Sequence, residues 1–301
     1  MAEDFYYPSA GKGNIRSRCW KPEDKPCGIV QIVHGISEHV ERYDEFANFL
    51  SLQGYLVVAQ DHMGHGKSGL VKGYFHGGWF AAVTDTYQLL QKTKESYADI
   101  PYILFGHSMG SFLTRSILAK YPQSGITGAI ICGTAWMPEM VLSAGKSMAG
   151  LACKWKGEEC SGKLLQSIMF AGYNKRVEHP ATAFDWLTRD RKILDIYIRD
   201  PDCGFSPTAG LARDMLAGMQ YNQKKASLDR MNKDLPVLFI SGSDDPVGDY
   251  GSGVKRTAQA FIDAGMKSVS VKLYPLCRHE ILNEINRSSI YRDAVQWIRN
   301  L

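Results

Sequence analysis

"ILFGHSMGSF", residues 103–112, is the stretch on which the reading of the fold turns. An apolar run ends at a glycine, Ser108 stands between Gly106 and Gly110, and the helix-forming run "SFLTRSILAKYP" follows at once. Gly-x-Ser-x-Gly in that setting marks a sharp strand-to-helix turn that holds one hydroxyl clear of its surroundings. The glycines have a steric reason. The turn forces the serine into an unfavourable backbone conformation, and larger neighbours would strike the adjoining strand and helix. Glycine and serine are common, so the five residues alone carry little weight. Their context carries more: a buried strand before them, and after them a helix whose Phe112, Leu113 and Ile117 can face a sheet.

On either side of this stretch, short apolar runs alternate with helical patterns. The strand candidates are "GIVQIVHG" (28–35), "YLVVAQDH" (55–62), "YILFGHS" (102–108), "GAIICGTA" (128–135), "PVLFISGS" (236–243) and "VSVKLYP" (269–275). Such near-continuous apolar runs suit a parallel sheet covered on both faces. Between them, Tyr43, Phe46, Ala47 and Leu50 fall at helical spacing, with Gly54 placed as a stop. Val254, Ala258, Phe261 and Ile262 repeat the pattern, as do Ile290, Ala294, Trp297, Ile298 and Leu301. The first 26 residues read as a leading hairpin turning at "AGKG". The expectation is an α/β fold with a mostly parallel, doubly wound sheet. The alternation stops over 136–208, which is helical, rich in Met and Trp, and needed for no strand. It reads as a helical lid inserted into a core made of 1–135 and 209–301.

Composition sets bounds. The chain has 301 residues, 45% hydrophobic and 22% charged, as in an ordinary globular protein. A net charge of +4 without a dense basic block argues against a nucleic-acid partner. No run reaches the length of a membrane span, and the acidic, aromatic N-terminus lacks a signal-peptide pattern. Seven scattered cysteines without Cys-x-x-Cys fit no zinc template and suggest reduced thiols, hence a cytoplasmic location.

A serine hydroxyl is a weak nucleophile near neutral pH. It needs a base, and the base needs an orienting acid. In this topology they follow along the chain as serine, acid, histidine. Of eight histidines only His279, in "YPLCRHEILNE" after the last strand, lies beyond the region for the acid. "LFISGSDDPVGD" offers Asp244 and Asp245 at the end of the preceding strand, and Asp245 is taken. Two backbone N–H groups must face the developing oxyanion. Met109, next to the nucleophile, is one source; Ile36, after Gly35 in "IVHGISEHVERY", is the other. His34 either braces that loop or is a core histidine with its hydrogen bonds satisfied.

"HGISEHVERY", "DHMGHGKSGL", "GHSMG", "SGSDDPV" and "RHEILNE" together resemble the serial motifs of the α/β-hydrolase superfamily, in the branch of monoacylglycerol lipases and bacterial lysophospholipases. The resemblance runs from about residue 28 to 284. It implies an α/β-hydrolase fold with a cap, and a serine ester hydrolase that works through an acyl-enzyme. It also implies catalytic Ser108, Asp245 and His279, an oxyanion hole from Ile36 and Met109, and no cofactor or metal. Two departures stand out. Ser111 replaces a frequent third glycine, and Ile36 is larger than usual and would narrow the acyl slot. The expected partner is a small ester or lipid. Trp136, Met137, Met140, Val141, Leu142, Met148, Leu165, Met169 and Phe170 offer adaptable apolar surface for an acyl tunnel or transient membrane-surface contact, or simply pack the cap.

Other readings compete. Gly66-Lys67-Ser68 mimics the end of a phosphate loop, but Asp61 stands where that motif needs glycine. Asp61, His62 and His65 lack a further metal ligand at usable spacing. A serine aminopeptidase of the same superfamily would need an acidic pocket, for which Glu139, Glu158, Glu159 and Asp185 are available. A catalytically silent ligand receptor usually lacks a triad member, and none is missing.

Overall fold

The computed structural model describes residues 2–301, the side chain of Met169 excepted. The leading hairpin is β1 (Ala2–Pro8) and β2 (Asn14–Trp20). The six apolar runs become β3 (Gly28–Val33), β4 (Tyr55–Gln60), β5 (Tyr102–His107), β6 (Gly128–Cys132), β7 (Val237–Gly242) and β8 (Val269–Tyr274). They form one sheet in the order β1-β2-β4-β3-β5-β6-β7-β8. The hairpin joins antiparallel, and every pairing from β4 to β8 is parallel. Each residue of β3 to β7 is buried, as expected of strands covered on both faces. At the far edge, three of the six residues of β8 are exposed.

Among the described residues ten α-helices accompany the sheet: α1 (Asp44–Leu52), α2 (Gly78–Ser96), α3 (Met109–Lys120), α4 (Glu139–Lys156), α5 (Lys163–Met169), α6 (Arg191–Arg199), α7 (Ala209–Gln223), α8 (Lys225–Arg230), α9 (Ser252–Asp263) and α10 (Arg287–Arg299). Strand alternation divides the core. Leu104, Ile131 and Phe239 face Leu113 and Ile117 of α3 and Phe261 of α9. Ile103, Phe105 and Ile130 face Phe46 and Leu50 of α1 and Ile290 and Ile298 of α10. Two residues of the anticipated helix faces fall outside: Ile262 and Leu301 are exposed.

Residues 136–208 hold α4, α5 and α6 and no strand of the sheet. Ala149, Cys153 and Leu165 pack on Ala209 and Ala212 of α7, and α7 in turn rests on α2 and α3. The chain leaves β3 for β4 on one side and returns to β5 on the other. The carboxyl ends of β3 and β5 therefore flank a switch point, where open α/β sheets bind their ligands.

Candidate active site

At the end of β5 the sharp turn is present. Ser108 has φ 53° and ψ −120°, a strained conformation for a residue with a Cβ. The glycines are required sterically. A Cβ at Gly106 would lie 2.3 Å from Thr114 Oγ1, and one at Gly110 only 1.9 Å from the Val33 carbonyl oxygen. Ser111, the departure from glycine, is useful here: its hydroxyl donates to the Ser108 carbonyl at 2.6 Å and braces the turn.

Asp245 follows β7 and is fully buried. Its carboxylate accepts from Ser241 Oγ at 2.9 Å and from the Val247 N–H at 2.9 Å. His279, in the loop after β8, brings Nδ1 to 3.0 Å from both Asp245 oxygens. Burial alone would raise the Asp245 pKa, but the His279 charge and these hydrogen bonds hold it below the usual range. Burial would lower that of His279, and the neighbouring carboxylate reverses this, so the imidazole titrates above its ordinary value. Asp244 is different: it is exposed and accepts from Ser243 Oγ.

Ser108 and His279 line the same small cavity, with no direct hydrogen bond between them among the described residues; such contacts often tighten only with substrate bound. His279 sits between the rings of His107 at 4.8 Å and Trp186 at 5.2 Å. Burial takes His107 down to about 3, so that ring stays neutral.

The loop after β3 reaches Ser108, since a Cβ at Gly35 would lie 3.1 Å from Ser108 Cβ. The Ile36 and Met109 N–H groups make no backbone hydrogen bond among the described residues. His34 proves to be a brace: Nδ1 donates to the Gly35 carbonyl at 2.7 Å, and Nε2 accepts from the His62 N–H at 3.0 Å. Asp61 accepts from the Val40 and Lys67 N–H groups and pairs with buried Arg16, so its carboxylate serves the loop.

One part of the site escaped the sequence reading. The Arg42 guanidinium, nearly buried, grips Glu280 through two hydrogen bonds of 2.7 and 2.6 Å and Glu38 through one of 2.6 Å. Glu38 also accepts from the Gly35 N–H and the Tyr43 hydroxyl. Glu280 adjoins His279, so one cation ties the loop of Ile36 to the loop of the imidazole. Burial opposes the ionised Glu280, but Arg42 wins and holds its carboxyl below the usual range. Both carboxylates lay within the quoted motifs; only their convergence on Arg42 was hidden.

Two cavities meet at Ser108, sharing Ile36, Phe170 and Trp186. A large one of about 360 Å³ is lined by Met109, Phe112, Trp136, Met137, Met215 and Met219 among others. A small one of about 30 Å³ is lined by His279 with Ser37, Gln166, Tyr197 and Glu280. Of the apolar residues singled out in 136–208, Trp136, Met137 and Phe170 line the large cavity. Leu142 and Leu165 are buried, and Met140, Val141 and Met148 are exposed. The side chain of Met169 lies outside the described residues.

A parallel sheet with a strained serine at its switch point and a buried aspartate–histidine pair defines an α/β hydrolase. Residues 24–286 match the family model described as serine aminopeptidase, S33, and the chain belongs to this hydrolase family. The chain is 29% identical over 297 residues to the monoacylglycerol lipase of Mycolicibacterium smegmatis, covering 96% of this chain and 95% of that protein. It is 26% identical to the monoglyceride lipase of Mus musculus, covering 93% and 85%. Among solved structures, a thermostable carboxyl esterase from Bacillus coagulans matches with TM-score 0.90 and 28% identity, over 100% of this chain and 98% of that one.

Proposed function

We propose that the protein is a serine hydrolase of carboxylic esters, with monoacylglycerols as the leading substrate class and lysophospholipids next. The observation that carries this reading is the position of Ser108 between two unlike cavities. The large cavity suits an acyl chain. The small one touches His279, the group that must protonate the departing alcohol, so the head group belongs there.

In this mechanism Ser108 Oγ attacks the ester carbonyl while His279 Nε2 takes its proton, and Asp245 holds the ring and stabilises its charge. The N–H groups of Ile36 and Met109 receive the oxyanion. The imidazolium then gives its proton to the leaving alcohol, and the acyl group stays on Ser108. Water, activated by the same imidazole, releases the acid.

Residues 136–208 act as the cap. They supply Gln166, Phe170, Phe184, Trp186, Leu187 and Tyr197 to the small cavity. At about 30 Å³ the small cavity is much the tighter of the two. Exposed Met140, Val141, Leu151, Trp155 and Leu164 give the cap an apolar outer surface for transient contact with lipid. No helix among the described residues is long and apolar enough to cross a membrane.

The family's description keeps the peptidase reading in view. Of the acidic residues considered for it, Glu158 pairs with Arg213 and Asp185 with Arg191, while Glu139 accepts from Gln220. Both carboxylates of the small cavity, Glu38 and Glu280, bond to the one Arg42 guanidinium, and burial beside Glu280 holds the Glu38 carboxyl above its usual range. A panel of monoacylglycerols, lysophospholipids, short esters and aminoacyl amides tests the proposal. Ester cleavage lost in Ser108→Ala supports it, and preference for the amides overturns it.

A further inference from the structure

Beside the oxyanion loop three side chains of metal-ligating type converge that the mechanism leaves unused. His39, Asp200 and Cys203 each bring one donor atom to within 4.8 Å of the others. We propose that this cluster binds a divalent transition-metal ion of zinc type, clasping the loop of residues 200–205 to the loop after β3.

The donor set fits. Imidazole nitrogen, carboxylate oxygen and thiolate sulfur are the three ligand types of zinc sites. Bonds of about 2.0–2.3 Å in a tetrahedral site place ligand atoms roughly 3.3–3.6 Å apart. His39 Nε2 and Asp200 Oδ2 are now hydrogen-bonded at 2.8 Å, so an ion entering between them asks for a shift of about half an ångström.

The surroundings hold the donors in place. The other ring nitrogen, Nδ1, bonds Glu41 Oε2 at 2.8 Å, and Glu41 is itself held by Arg16 at 2.9 Å. A carboxylate on the far nitrogen is how metal-binding imidazoles are oriented. Asp200 accepts from the Asp202 N–H at 2.8 Å through Oδ1, which leaves Oδ2 for the ion. The Cys203 N–H donates to the Asp200 carbonyl at 3.1 Å, and its side chain is packed with Leu194 and Tyr197. His39 and Asp200 keep 12% and 26% of their side chains exposed, enough for an ion to enter and for water to take the fourth position.

Without an ion His39 Nε2 and Asp200 Oδ2 share a hydrogen bond, so the ion would replace the proton between them and that of the Cys203 thiol. The site has consequences for its neighbours. The Ser37 carbonyl accepts from the Gly204 N–H at 2.9 Å, and the Ser37 hydroxyl donates to the Phe205 carbonyl at 2.7 Å. An ion on residues 39, 200 and 203 would secure the same joint, one residue from Ile36.

The test is dialysis of the full-length protein against Zn²⁺, buffer exchange and elemental analysis, with Co²⁺ as a spectroscopic probe. The expected result is one ion per chain in the wild type, strongly reduced in His39→Ala, Cys203→Ser and the isosteric Asp200→Asn. The cobalt form should show a thiolate-to-metal charge-transfer band that Cys203→Ser abolishes, and Zn²⁺ should raise the melting temperature of the wild type alone. No ion retained by the wild type, equal retention by all three variants, or a cobalt spectrum without the thiolate band would overturn the proposal. Circular dichroism identifies any variant that fails to fold, and the wild-type cobalt spectrum decides independently of the variants.

Discussion

His279 Nδ1 lies 3.0 Å from each carboxylate oxygen of Asp245, across 34 positions of sequence. Asp244, one residue away, is exposed and turned to Ser243. Asp245→Asn is therefore expected to cut kcat for ester hydrolysis by about 10,000-fold, the scale of losing the acid from a serine–histidine–acid set. Asp244→Asn should stay within a few-fold of wild type. Steady-state kinetics of the two variants checks this, and the reverse pattern would move the role by one residue.

The same pair sets a pH dependence. Burial alone depresses the His279 pKa, but the Asp245 charge outweighs it and leaves the value raised above 6.5. The imidazole must be neutral to take the Ser108 proton. The rate constant kcat/KM should thus fall as pH drops through that raised value, leaving an acid limb above the pH expected of a free histidine. In Asp245→Asn the limb should move to lower pH, because the stabilising charge is gone. A limb unmoved in the variant contradicts the pairing.

Chain-length selectivity follows from the cavity of about 360 Å³ beside Ser108. Each methylene buried contributes about 0.8 kcal/mol, or roughly fourfold in kcat/KM, until the space is filled. Activity on a series of glycerol monoesters should climb well beyond acetate. Met137→Trp, which fills part of the cavity, should reduce cleavage of long-chain esters and leave acetate esters near wild type. Cleavage that falls steadily beyond propionate would reduce the enzyme to a short-chain esterase.

Arg42 joins the loop of Ile36 to the loop of His279. Replacing it by Met leaves Glu38 and Glu280 buried and without their cation, a change expected to cost about 3–5 kcal/mol of stability. Urea denaturation measures it. A loss under 1 kcal/mol would mean that the two carboxylates find other partners or take up protons cheaply.

The parts of this structure that are local in sequence were readable before folding was considered. The six apolar runs became β3 to β8, and Gly106 and Gly110 stand against Thr114 Oγ1 and the Val33 carbonyl oxygen for the steric reason anticipated. The order of serine, acid and histidine follows from the topology, which is why residues 137 positions apart or more could be brought together on paper. Contacts without a periodic or positional signature were not readable. Arg42 meets Glu280 across 238 positions, and nothing in "HVERY" says which carboxylate its guanidinium will choose. His34 is similar: only the position of the His62 N–H shows that its ring braces the loop. Residues 136–208 were legible as an interruption of the strand pattern, but which of their methionines face the cavity depends on how α4 lies on α7.

The central claim is that the Ser108 hydroxyl is the nucleophile. Reaction with a fluorophosphonate probe, followed by peptide mapping, tests it most directly. The account predicts a single adduct on Ser108 in the wild type, and in Ser108→Ala no adduct and no hydrolysis of monoacylglycerol. An adduct on another residue, or near-normal hydrolysis by Ser108→Ala, would contradict it.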